Sequence, residues 1–188
     1  RRASLALAQA TPPRRARRAA DAVRPAGTVG RAYALRPIRT SDAASLMRGY
    51  DAMSDSSKWF RLLHAVPHLT EAMALEFCSP DPKRDICVVL EGCDELEGEI
   101  LDSTRISGSP DGARAEFSVS LRPEAQGLGL AIKALETVFA VAKEMRYAQI
   151  YGSINRRNEP MLRLAESMGF HLGRDPEDPA LMVAELSL

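Results

Sequence analysis

Val119-Ser120-Leu121-Arg122-Pro123-Glu124-Ala125-Gln126-Gly127-Leu128-Gly129-Leu130-Ala131 is the stretch from which the rest of the chain can be read. An apolar–polar alternation ends at Leu121, Arg122-Pro123 turns the chain, and small residues open its longest amphipathic segment. Over 127–146, Leu128, Ala131, Ile132, Leu135, Val138, Phe139, Ala142 and Met145 form one stripe at helical spacing. Lys143 and Arg146 close that helix at the end where cations suit the dipole. The pattern is strand, tight loop, helix. Backbone N–H groups at such a helix start have no intrahelical partner and point outward together. Gly127, Gly129 and Ala131 keep side chains out of the way, so the loop suits a pyrophosphate. Small residues at a helix start also serve plain packing, and the glycines alone leave both readings open. The lysine and hydroxyl of GxxxxGK[ST] are absent and the spacing is not GxGxxG, which argues against the two commonest nucleotide loops.

On both sides the chain alternates. Residues 33–38 read as a first strand, with Pro37 near its end. Thr40-Ser41-Asp42 offers a helix cap ahead of Ala43, Ala44, Leu46 and Met47. Residues 54–78 are helical in pieces, broken near Pro67 and restarted at Leu69-Thr70-Glu71. Residues 86–90 and 97–106 are strand candidates, with Asp94-Glu95 suited to the turn between them. A strand over 115–121 follows the turn Ser109-Pro110-Asp111-Gly112. Beyond the long helix come a strand over 149–154 and a short amphipathic helix carrying Met161, Leu164, Ala165 and Met168, stopped by Gly169. A last strand covers 181–186. Neighbouring strands with interspersed helices predict an α/β (α+β) sandwich.

The 188 residues are 45% hydrophobic and 27% charged, enough for one packed domain. No run approaches the ~18 uncharged apolar residues of a membrane span. Cys78, Cys87 and Cys93 are odd in number and form no CxxC pair, which fits a reduced, cytoplasmic protein better than a disulfide scaffold or a zinc knuckle. The net charge of zero hides an asymmetry: residues 1–31 hold eight arginines and one acid, Asp21, whereas 32–188 carry 17 bases against 24 acids. That split predicts a basic Ala/Arg/Pro-rich arm or linker over 1–31 on an acidic domain over 32–188. The first residue is Arg1 rather than methionine, so upstream sequence is expected. Arg1-Arg2 and residues 3–10 faintly imitate a signal peptide, but Ser4 and Gln9 dilute the apolar stretch. Nothing aromatic is interleaved with the arginines, and neither a nucleic-acid nor a membrane partner is expected.

Two stretches resemble one family. Gln126-x-x-Gly129-x-Ala131 matches the Q/R-x-x-G-x-G/A motif of the GNAT acyltransferases, in the strand–loop–helix setting that the motif occupies. A second landmark is similar too: a strand over 149–154, then Asn155-Arg156-Arg157-Asn158, then a helix over 159–168 ending in Gly169-Phe170. The resemblance runs from Tyr33 to Leu188. Leu35-Arg36-Pro37-Ile38-Arg39, Asp42-Ala43, Leu69-Thr70-Glu71 and Ala115-Glu116-Phe117-Ser118-Val119 look like the domain of bacterial GNAT-type protein lysine acetyltransferases. The resemblance implies a mixed central sheet, flanked by helices and splayed at a cleft for acetyl-CoA. It implies direct acetyl transfer to a primary amine, on a protein lysine or on a small molecule; a CoA-binding regulatory module is the non-enzymatic alternative. It further implies that Val119, Ser120 and Leu121 offer backbone groups to the pantetheine arm and thioester. Gln126, Gly127, Leu128, Gly129, Leu130 and Ala131 would hold the pyrophosphate, and Asn155 and Asn158 would line the other wall. By residue type alone, Asn158 also suits an N-cap ahead of Glu159-Pro160, and Asn155 a turn. Arg122 is the one cation this loop brings nearby.

An amine acceptor sets the chemical requirement. A lysine ammonium, with a pKa of ~10.4, cannot attack a thioester before it loses a proton. Glu116 is the candidate base: on an ideal strand it shares a face with Ser118 and Ser120, opposite Phe117, Val119 and Leu121. The lysine-acetyltransferase subgroup carries its catalytic glutamate at this position; without that resemblance, a strand glutamate simply faces solvent. The Val119 or Leu121 amide is the natural donor to the oxyanion. Where many GNAT enzymes place a tyrosine to protonate the departing sulfur, this chain has Ala165. The small-molecule branches that rely on that tyrosine therefore fit less well. His64 and His68 are spaced i, i+4, but Pro67 lies between them and no third ligand follows, so no metal site is predicted. His171 reads as a strand-edge residue and Trp59-Phe60 as core.

Overall fold

Strand β3 (Asp85–Gly92) buries Ile86, Val88 and Leu90 on one face and Cys87 and Val89 on the other, and this alternation divides the core in two. The first set joins Leu35, Phe117, Ile150 and Ala165 and the apolar stripe of α4 (Leu130–Glu144) in the main cluster. The second packs with Ile38, Ala43, Ala74, Cys78 and Ile100 in a smaller cluster. A sheet thus forms the middle layer. On one side lie α4 and α5 (Glu159–Ser167); on the other lie α1 (Ala43–Asp51) and α3 (Glu71–Phe77), followed in space by α2 (Asp55–Leu62). The computed structural model describes residues 21–23, 33–62, 66–93 and 97–188; most of the arm, His64 and the expected Asp94-Glu95 turn lie outside the described residues.

The other strands are β1 (Asp21–Val23), β2 (Tyr33–Pro37), β4 (Ile100–Gly108), β5 (Arg114–Leu121), β6 (Gln149–Asn155), β7 (His171–Arg174) and β8 (Leu181–Ser187). Their order is β1-β2-β3-β4-β5-β6-β8-β7, and β5–β6 is the parallel pair in an otherwise antiparallel sheet. That pair is short. Arg114, Ala115 and Glu116 face Gln149, Ile150 and Tyr151, after which β5 runs on to Leu121 and β6 to Asn155 without pairing.

Packing at the point of divergence is tight. A Cβ on Gly152 would lie 2.6 Å from the Phe117 ring and 3.1 Å from its carbonyl oxygen. The Phe117 ring meets Phe170 with centroids 4.8 Å apart, and Phe170 meets Phe139 at 5.7 Å. Phe117 is thereby wedged over β6 where the strands separate.

Three expectations change in detail. Asp42 does not cap α1: its two carboxylate oxygens take Arg36 Nη1 at 2.8 Å and Nη2 at 2.9 Å, and one also accepts the Arg39 N–H at 2.8 Å. Arg36 is 5% exposed, and its Nε donates to Glu91 at 2.6 Å. A buried guanidinium requires paired carboxylates, and that demand outranks capping. The long helix begins at Leu130 rather than Gly127, because Gly127 (φ +74) and Gly129 (φ +71) adopt the left-handed conformation. Trp59 is 46% exposed and belongs to neither core cluster.

Gly152→Ala forces the new methyl into the Phe117 ring and backbone, and the expected cost is about 1–3 kcal/mol. Urea unfolding should show a lower midpoint with an unchanged slope; a wild-type midpoint would mean that the Phe117 wedge yields freely.

Candidate active site

Two backbone bonds fix the phase of the β4–β5 ladder. The Ser109 N–H donates to the Arg114 carbonyl and the Arg122 N–H to the Leu101 carbonyl, each at 2.8 Å. Even-numbered residues of β5 therefore turn their N–H and C=O toward β4, and odd-numbered ones turn away from it. Ala115 uses these groups within the paired part of β6; Val119 and Leu121 turn theirs into the opening. Side chains separate by the same parity. Ala115 and Phe117 are buried in the main core, with Val119 and Leu121 packed against it. Glu116, Ser118 and Ser120 stand on the opposite face, toward α1 and α2. Glu116 is exposed and makes no hydrogen bond or ion pair with a described residue.

The loop after β5 is anchored from below and bare above. The Ala125 N–H donates to the Arg122 carbonyl at 3.0 Å and the Gln126 N–H to the Pro123 carbonyl at 3.2 Å. Lys133, bonded to the Gly129 carbonyl at 3.4 Å, begins the α4 ladder. Between them, the N–H groups of residues 129–132 have no acceptor among the described residues. A Cβ on Gly127 or Gly129 would meet nothing within 4 Å, while Leu130 and Ala131 are buried and Leu128 packs half-buried against the core. The free amides at the positive end of this helix, with no side chain built over the glycines, fit a pyrophosphate. Gln126 uses its side chain locally: Nε2 donates to the Leu121 carbonyl at 3.3 Å.

On the far wall, Asn155 Oδ1 accepts the Arg157 N–H at 2.9 Å, and Asn158 Oδ1 caps α5 by accepting the Met161 N–H at 3.3 Å. Both carboxamide oxygens thus hold the turn from β6 into α5, and each side chain keeps its NH2 group. Ala165 is 1% exposed and lies in the main core.

Arg122 departs from expectation. Its Nη1 lies 3.1 Å from Glu99 Oε2, and Glu99 also takes Arg48 Nη2 at 2.8 Å and the Ser45 hydroxyl at 3.3 Å. The Arg48 hydrogen bond, followed by that of Arg122, holds the Glu99 carboxyl below its usual range. Behind this cluster lies a recess open to solvent, whose lining includes Leu46, Tyr50, Met53, Phe77, Arg105 and Ser120. Sequence reading missed it, although Leu46, Gly49, Tyr50 and Met53 carry the spacing of one helical stripe. Gly49 leaves room for Arg122, whose Cδ would lie 3.6 Å from an added Cβ.

The remaining polar candidates have ordinary surroundings. His68 Nδ1 lies 2.9 Å from Asp51 Oδ1, with both side chains well exposed. Burial pushes the Cys78 thiol up to about 11, which leaves it protonated and unreactive. No helix among the described residues is long and apolar enough to cross a membrane.

Gly129→Ala places a side chain in the left-handed region at a strain of ~1–2 kcal/mol. CoA affinity measured by calorimetry should fall about tenfold; wild-type affinity would show that the loop geometry is dispensable. Glu99, depressed in the folded state, lends stability that is complete above its unfolded pKa of ~4.3 and is lost as the pH falls through the folded value. Glu99→Gln should therefore flatten the acid limb of the melting-temperature profile; an unchanged limb would remove Glu99 from it.

Comparisons with known proteins agree with this geometry. Residues 33–171 match the acetyltransferase (GNAT) domain family. Acetyltransferase PA5475 of Pseudomonas aeruginosa is 23% identical over 159 residues, 85% of this chain and 86% of that protein. The GNAT domain of S. lividans PAT has a TM-score of 0.74 at 24% identity, over 84% of this chain and 91% of that one. YncA of Salmonella typhimurium, solved with its cofactor acetyl-CoA, has a TM-score of 0.65 at 17% identity, over 83% of this chain and 94% of that one. With its splayed β5–β6 pair and amide-lined loop, the chain belongs to the GNAT family of acetyl-CoA-dependent acetyltransferases.

Proposed function

We propose that residues 32–188 are a catalytic domain that moves the acetyl group of acetyl-CoA to the side-chain amine of a protein lysine in the cytoplasm, with Glu116 as general base. The position of Glu116 carries this reading. It is the last β5 residue that β6 still pairs, its carboxylate is exposed and unbonded, and its face also bears Ser118 and Ser120. A base there is reachable by an amine arriving from outside the protein, directly or through one water.

Each residue then has a distinct task. The amides of 129–132 bind the pyrophosphate, helped by the α4 dipole. The backbone groups of Val119 and Leu121 align the pantetheine arm, and one of their N–H groups donates to the oxygen that gains charge during attack. The NH2 groups of Asn155 and Asn158 face the arm from the β6 side. Glu116 takes the proton of the ammonium, the freed nitrogen attacks the thioester carbon, and as the adduct collapses the carbon–sulfur bond breaks while the nitrogen loses its second proton to water. Ala165 supplies no acid, so the departing sulfur takes its proton from water. The basic stretch 1–31 serves as an arm on this domain, with Asp21–Val23 laid along the sheet edge as β1.

Acetyl-CoA would be supplied with a pool of lysine-bearing proteins and, separately, a pool of small amines, with products read by mass spectrometry. Acetylated lysines are expected in the first pool; acetylation confined to the second would overturn the protein acceptor. No transfer in either pool, with CoA still bound, would make the chain a CoA-binding module. Glu116→Gln should lower kcat by roughly 10²–10⁴-fold with CoA affinity unchanged, and its rate should climb with pH toward the amine's own pKa of ~10.4. An unaltered rate would remove Glu116 from the mechanism.

A further inference from the structure

The pocket between α1, α3 and the β4–β5 face sets the Arg105 guanidinium among apolar walls. Leu46, Tyr50, Met53 and Phe77 supply the walls, and Ser120 lines it from β5, on the face that bears Glu116. Two guanidinium groups line it, those of Arg105 and Arg122. Arg122 is paired with Glu99, which also takes Arg48. Arg105 has no carboxylate at all among the described residues. Its Nη2 donates to the Phe77 carbonyl, and its Cζ lies 5.8 Å from the centre of the Phe77 ring. Asp102 also borders the pocket, yet it stands three residues from Arg105 and so on the opposite face of β4, where its Oδ2 accepts the Thr104 hydroxyl at 2.8 Å.

A half-buried guanidinium fixed by a neutral carbonyl and a ring keeps further N–H donors for which the described residues provide no anion. Arginine's planar fork matches a carboxylate in particular. We infer that this pocket binds a carboxylate carried on an apolar stem, with Arg105 as the recognising residue, and that the acceptor presents this group while its amine lies toward Glu116. The role of the amine rests on the acetyl-transfer reading; the anion site rests on Arg105 and the pocket. An acidic side chain beside an acceptor lysine and the free carboxylate of a small amine share this chemistry.

The binding test uses 4-phenylbutyrate and 4-phenylbutyramide, which have no amine and cannot turn over, titrated calorimetrically into the CoA-bound protein. The acid is expected to bind the wild type about tenfold or more tighter than the amide, the scale of a hydrogen bond to a charged group. Arg105→Gln should erase that preference and leave CoA affinity unchanged, whereas Arg105→Lys should keep part of it. Equal binding of the two probes, no binding of either, or a preference that survives Arg105→Gln would each overturn the inference. If Arg105→Gln does not fold, the acid–amide comparison on the wild type and on Arg105→Lys decides. Initial rates on Leu-Glu-Lys against Leu-Gln-Lys peptides, and on phenylalanine against phenylalaninamide, then identify the source of the carboxylate. Preference among the peptides alone assigns an acidic neighbour of the lysine; preference among the amino acids alone assigns a small acceptor. No turnover of any acceptor, with the probe preference intact, would overturn acetyl transfer and leave the anion site standing.

Discussion

The separation of β5 from β6 beyond Glu116 and Tyr151 is the constraint on which the site depends. Two parallel strands with unused N–H and C=O groups tend to go on pairing, because those groups need partners or water. Here the bulk of Phe117, set against the bare Cα of Gly152 and backed by Phe170, occupies the place where the next pair would close. The odd-numbered backbone groups of β5 are left facing an opening. The strand that ends at Leu121 feeds at once into the amide-lined loop, so one departure from regular pairing aligns both features along a single path.

The two faces of β5 do different work by different means. Toward α4, the cleft is built from backbone: amides, carbonyls and the dipole of a helix held down by Leu128 and Leu130. Toward α1, it is built from side chains: Glu116, Ser120, Arg105 and the Arg48–Glu99–Arg122 cluster. The buried Arg36–Asp42 pair ties β2 to the turn that starts α1, so the helix on this face is pinned by charge as well as by packing.

Legibility in the sequence followed the range of each interaction. The α4 stripe, the glycine loop and the face of Glu116 are written in local periodicity, and the structure has all three, except that Ile132 of the stripe is exposed and lies outside the core. The helix start lay three residues later because residue type does not print the sign of φ at Gly127 and Gly129. Asp42 resembled a cap because Asp before an apolar run usually is one, and nothing local reveals that Arg36 is buried beside it. Arg122 resembled a cation for the loop because its partner, Glu99, lies 23 residues away. Strand β7 has four residues, one of them Gly173, and no alternation to read. Long-range charge pairing was the part that sequence did not announce.

Because the α4 side of the cleft works through main-chain groups, most side chains along its loop can change without altering what it offers to a ligand; only the glycines and the buried leucines are committed. The α1 side has no such indifference, since each contact there belongs to a particular side chain. Across descendants of such a chain, co-substrate use should stay fixed while acceptor choice drifts, with divergence concentrated on one face of a single strand.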